Sequence, residues 1–83
     1  MKKPLKYREL RKRLKQFGIV EDKLRGKGSE RMFVGYVEGR RVTYPTKCHS
    51  EGQEKPIPVI EAIRRHFHLT DAYGISDKEF YSG

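Results

Sequence analysis

The sequence predicts an α+β domain of order α-β-β-β-α, a three-stranded antiparallel sheet with two helices on one face and a short helical tail. Three observations carry that prediction. Apolar residues recur at helical spacing near both ends of the chain, an alternating run occupies the middle, and glycine turns separate that run from its neighbours. A chain of 83 residues closes around one hydrophobic core, so 1–83 is read as a single domain.

Pro4 suits the first turn of a helix, where its missing N–H is no loss. Leu5, Leu10, Leu14 and Phe17 then form an apolar stripe with Tyr7 beside it. Lys6, Arg8, Arg11, Lys12, Arg13 and Lys15 take the other faces. Gly18 follows the last apolar residue as a helix stop. "IVEDKLR", Ile19 to Arg25, reads as a strand, and "GKGS" as a turn. In "ERMFVGYVEG", Met32, Val34 and Tyr36 fall on one face, Phe33 and Val37 on the other. After a turn at Glu38–Gly39, "RRVTYPTK" forms the third strand, where Pro45 ends the pairing or marks an edge.

A polar loop, "TKCHSEGQEKP", leads to Pro58, which opens a second helix with Val59, Ile60, Ile63 and Phe67 as its stripe. Glu61, Arg64, Arg65 and His68 are expected to face outward. "SDKE", Ser76 to Glu79, has capping-box spacing ahead of Phe80 and Tyr81, which would dock on the core. Double-stranded-RNA-binding domains share this element order and recognise A-form shape through phosphates and 2′-hydroxyls.

Charge is unevenly distributed. The chain carries +8 at pH 7, and residues 1–31 alone hold twelve Lys/Arg against Glu9, Glu21, Asp22 and Glu30. Residues 32–83 hold seven of each sign and cancel. One basic side on a chain with five Tyr and four Phe points to a polyanion, nucleic acid before membrane. The alternative is a solvated helix face. No apolar run reaches the roughly 18 residues of a membrane span, and no apolar segment follows the basic start, so a cytoplasmic protein is expected. The single Cys48 fits a reducing compartment. Oligomeric state is left open.

"RGKGSERMF", Arg25 to Phe33, matches neither a P-loop nor G-x-G-x-x-G, since Arg31 stands where the third glycine belongs. What it offers is a turn with free N–H groups around Gly28, the Ser29 hydroxyl, and Arg25, Lys27 and Arg31 to neutralise phosphates. With Arg8, Arg11, Lys12 and Lys15 these are the candidate RNA-binding residues. A hairpin whose glycines only supply positive φ is the alternative. "HFH", His66 to His68, lacks ligands at familiar zinc spacing and reads as structural, so no metal or cofactor is expected. Cys48 and His49 are adjacent and would point to opposite faces of an extended chain, which argues against a thiol–imidazole pair.

Taken in order, "YRELRKRLKQFGIV", the Gly-Ser turn before an aromatic, "GRRVTYP" and the closing "LTDAYGISDKEF" resemble the HicA toxins, the YcfA-like small ribonucleases of bacterial toxin–antitoxin systems. The resemblance spans most of residues 6–81. It implies a double-stranded-RNA-binding-domain-like fold, metal-independent cleavage of mRNA, and a HicB-type antitoxin as partner. Gly28, Ser29 and Arg31 carry over to the family's turn. Its catalytic histidine does not, because Glu30 stands in that place.

Metal-free RNA cleavage needs a base near the 2′-hydroxyl and an acid near the leaving 5′-oxygen. Glu30 is the candidate base and His49, in "KCHSEG", the candidate acid, with Lys27 and Arg31 to stabilise transition-state charge. Two other readings stand beside this one. The first is a non-catalytic RNA-binding module on the same scaffold, and the second is a basic protein-interaction domain.

Overall fold

The structure is a computed structural model that describes residues 2–23 and 29–82. Arg25, Lys27 and Gly28, and with them most of the expected Gly26–Ser29 turn, lie outside the described residues. The element order is β1 (Leu5–Lys6), α1 (Tyr7–Gln16), β2 (Val20–Lys23), β3 (Glu30–Val37), β4 (Arg40–Lys47), β5 (Glu54–Lys55), α2 (Ile57–His66), a 3₁₀ turn (Asp71–Tyr73) and α3 (Asp77–Ser82). The predicted α+β class with a three-stranded antiparallel meander, β2-β3-β4, is what the chain adopts.

Strand alternation sorts β3 into two faces. Phe33, Gly35 and Val37 turn inward, where the Phe33 ring stacks on Tyr7 of α1 at 5.9 Å. Met32, Val34 and Tyr36 turn away from the helices. Leu10 and Leu14 of α1 and Ile60 and Ile63 of α2 complete the core with Phe67, Phe80 and Tyr81. Each buried Leu, Ile or Phe removes enough apolar area from water to contribute about 1.5–3 kcal/mol.

Helix ends follow the sequence signals. At the end of α1, Gly18 takes φ +84°, its N–H bonds Lys15 O, and Ile19 N–H reaches back to Leu14 O. This six-to-one and five-to-two pair satisfies two terminal carbonyls. The end of α2 repeats it, with His68 N–H on Arg65 O and Leu69 N–H on Arg64 O, but there the left-handed residue is His68, at φ +58°. Ser76 and Glu79 form the expected capping box, Glu79 N–H donating to Ser76 Oγ at 3.1 Å. Glu38 and Gly39 take φ +51° and +79° in a two-residue hairpin loop, which is a left-handed conformation rare for glutamate.

Three expectations need correction, and a fourth has two alternatives between which the fold decides. Pro4 does not open a helix, because Leu5 and Lys6 first pair with Lys55 and Glu54, and α1 starts at Tyr7. Ile19 belongs to the helix cap, so β2 begins at Val20. Of the two readings of Pro45, the edge is the one that holds: it sits opposite Met32 inside β4, an edge strand where proline is tolerated. Arg64 does not face outward and is 1% exposed. It donates Nε to Leu69 O at 2.9 Å, Nη2 to Ile75 O at 3.2 Å, and Nη1 to Glu61 at 2.8 Å and Asp77 at 2.7 Å. A buried cation persists only when paired and hydrogen-bonded, and the tail wraps around Arg64 to supply those partners.

Candidate functional site

The sequence-predicted cations of α1 come together. Arg8, Arg11, Lys12 and Lys15 line a groove of about 340 Å³ whose far side is Ile19, Val20 and Glu21. Helical spacing of three and four residues puts them on one face over roughly 10 Å of axis. The apolar stripe, Leu10 and Leu14, occupies the opposite face and anchors the helix to the sheet.

Within that row the cations differ. Arg11 grips Glu51 with both Nη atoms, Nη1 to Oε2 at 2.9 Å, and lies 3.4 Å from Glu21. The Glu51 hydrogen bonds, opposed by desolvation, hold the guanidinium's pKa above its ordinary value. Glu21 is the anchor of the inner wall. It accepts from the hydroxyl of fully buried Tyr7 and lies 3.5 Å from Arg31 Nε. Burial first, and then the Glu21 hydrogen bond, pushes the Tyr7 hydroxyl's pKa far above its ordinary value. Tyr7, Glu21 and Glu51 were not among the candidate residues. The spacing of Tyr7 and Glu21 is too long for a local signal, and only β2 folding back beside α1 brings them together. Arg8, Lys12 and Lys15 are exposed, and among the described residues none forms an ion pair. The groove therefore presents a line of cations above one that is already neutralised.

The catalytic candidates are placed differently. Glu30 pairs across the hairpin with Lys47, and the two line a pocket of about 280 Å³ with Arg31, Pro45 and Thr46. Arg31 bonds the Glu30 carbonyl at 2.9 Å while turning inward towards Glu21. Ser29 accepts Cys48 N–H at its carbonyl, 2.7 Å, extending the ladder by one bond. His49 is exposed just beyond, and its backbone N–H donates to Gln53 Oε1 at 3.2 Å. It is not among the residues lining the Glu30 pocket. The Cys48 side chain is buried, with its Sγ 3.4 Å from Ser50 O. Burial, helped by Glu51, raises the thiol's pKa, which disfavours the nucleophilic thiolate.

At the opposite end of the sheet a second concave region escaped the sequence reading. Tyr36, Val37, Glu38, Phe67, His68 and Tyr73 line it, with Tyr36 72% and Tyr73 54% exposed. Among the described residues no three His, Cys, Asp or Glu gather at a spacing suited to a metal ion. No described helix is long and apolar enough to cross a membrane. Comparison with protein families, with curated proteins and with solved structures returned no match.

Proposed function

We propose that this chain binds RNA through the cations of α1, as a HicA-like toxin acting on mRNA and restrained by a HicB-type antitoxin. The observation that carries the RNA reading is the groove where Arg8, Lys12 and Lys15 stand exposed on one helix face, without ion pairs among the described residues. A phosphate chain lying there releases its counterions and gains charge-assisted hydrogen bonds. The element order and the placing of both helices against one sheet face agree with a double-stranded-RNA-binding-domain-like scaffold. An acidic segment of an antitoxin would compete for the same cations.

Cleavage is a second reading, favoured by Glu30 sharing its pocket with Lys47 and Arg31. In it, Glu30 takes the 2′-hydroxyl proton, Lys47 stabilises the charged phosphorus centre, and His49 protonates the leaving 5′-oxygen. That last role requires the segment after β4 to fold over bound RNA, releasing the His49–Gln53 bond. Incubating RNA with the purified chain and a chelator tests both readings. Cleavage lost in Glu30→Gln and in His49→Ala supports catalysis. Salt-sensitive binding with intact RNA leaves a non-catalytic RNA-binding module. Absence of RNA binding at low salt rejects both and leaves a basic protein-interaction domain. Growth arrest on expression alone, relieved by an acidic partner that shifts the chain's apparent size, would support the toxin–antitoxin assignment.

A further inference from the structure

The cleft at the hairpin end of the sheet has no part in the groove or the Glu30 pocket, yet it is built from unusual pieces. His68 and Tyr73 stack face to face, with centroids 4.0 Å apart and planes 7° apart. Tyr36 projects from the outer sheet face at 72% exposure. The residues on either side, Glu38 and His68, are the two non-glycine residues with positive φ among those described, and they face each other with His68 Nδ1 3.8 Å from Glu38 Oε2. Left-handed non-glycine residues cluster at ligand clamps, where the fold holds a side chain in a demanding position.

Charge surrounds the aromatics. Arg41 is the cross-strand partner of Tyr36, and Arg40 adjoins the hairpin loop; both are exposed. Exposed aromatic faces beside guanidinium groups are how proteins hold unpaired bases, the rings stacking and the cations meeting the backbone. Glu38 supplies what a stack alone lacks, a carboxylate that accepts from an N–H on the base edge. Cleft and groove are joined through the core at Gly35, where an added Cβ would lie 2.7 Å from Ile19, which lines the groove, and 3.4 Å from Phe67, which lines the cleft.

We propose that Tyr36, Tyr73 and His68 form a stacking site for an unpaired nucleobase, with Arg40 and Arg41 meeting the adjoining phosphates. Resting on the RNA-binding reading, this makes the ligand single-stranded: one strand lies with phosphates along α1 and a base in the cleft.

The test compares a short single-stranded RNA with the same oligomer made abasic, against wild type, Tyr36→Ala/Tyr73→Ala and Lys12→Ala/Lys15→Ala. The tyrosine variant should bind the ordinary oligomer roughly five- to a hundredfold more weakly, with an unchanged salt slope, and the abasic one no differently from wild type. Tyr36→Phe/Tyr73→Phe should restore binding. If the tyrosine variant binds like wild type while the lysine variant is weakened, the stacking site is wrong and the RNA reading stands. If wild type binds neither oligomer, both fall. Should the alanine variant fail to fold, adenosine and uridine 5′-monophosphate titrated into wild type decide the matter. Ring-proton NMR shifts at Tyr36, Tyr73 and His68 support the site, and shifts confined to α1 overturn it.

Discussion

Arg64 and Arg11 are both helical arginines within reach of two carboxylates, yet their surroundings set them to different tasks. Arg64 is 1% exposed, and every nitrogen of its guanidinium is bonded, to Glu61, Asp77 and the carbonyls of Leu69 and Ile75. Its face also lies 5.0 Å from the Phe80 ring. Arg11 has a side chain 32% exposed, and its main partner Glu51 is 50% exposed. A buried charge in such a network is a structural keystone whose removal strands its partners. A pair at the rim is screened by water, contributes little, and is open to exchange with an incoming anion. The comparison teaches that burial, more than residue type or pairing, separates the cations that hold this fold from those that can serve a ligand.

The contrast is broken or sharpened by a graded series of measurements. Arg64→Ala should cost about 3–5 kcal/mol in urea unfolding. A chain of this size has only about 4–12 kcal/mol in hand, so the variant should be largely unfolded on warming. A loss comparable with that of Arg11→Ala would erase the distinction.

Acid should act through the Arg64 cluster. Asp77 is held below its ordinary pKa of 3.8 by the Arg64 hydrogen bond. At Glu61 desolvation pulls upward, but hydrogen bonds from Tyr81 and Arg64 prevail and hold it below 4.5. The unfolded chain therefore binds more protons as pH falls through this range. The stability these groups confer is present in full above their ordinary values and is lost as pH drops through the depressed ones. Urea midpoints should decline below about pH 4, and the Arg64→Ala profile should be flatter there if that variant folds well enough to measure.

Gly35→Ala probes the seam between the two regions. An added Cβ would sit 2.7 Å from Ile19 Cγ1 and 3.4 Å from the Phe67 ring. Overpacking of this kind costs about 1–3 kcal/mol, visible as a lowered thermal midpoint. Arg11→Ala should be milder, about 0–1 kcal/mol in the same assay.

Much of this architecture was legible because its causes are local. The Leu10–Leu14 stripe, Gly18 as a left-handed stop, the Glu38–Gly39 loop and the Ser76–Glu79 capping box each act within a few residues. Arg64 was misread because three of its four partners, Leu69, Ile75 and Asp77, lie five to thirteen residues away and only converge once the tail folds back. The β1–β5 pair was missed for the same reason, being two residues long and closed across most of the chain. Of the site, the shared face of Arg8, Arg11, Lys12 and Lys15 followed from helical spacing alone. The separation of His49 from the Glu30 pocket did not, because it depends on how Gln53 and Ser29 draw in the chain around Cys48.

The groove itself is tested most directly by the salt dependence of single-stranded RNA binding in wild type and Lys12→Ala/Lys15→Ala. If both lysines meet phosphates, the slope of log affinity against log salt should shrink by about 1.4, with the urea midpoint unchanged. An identical slope in the folded variant would contradict the account.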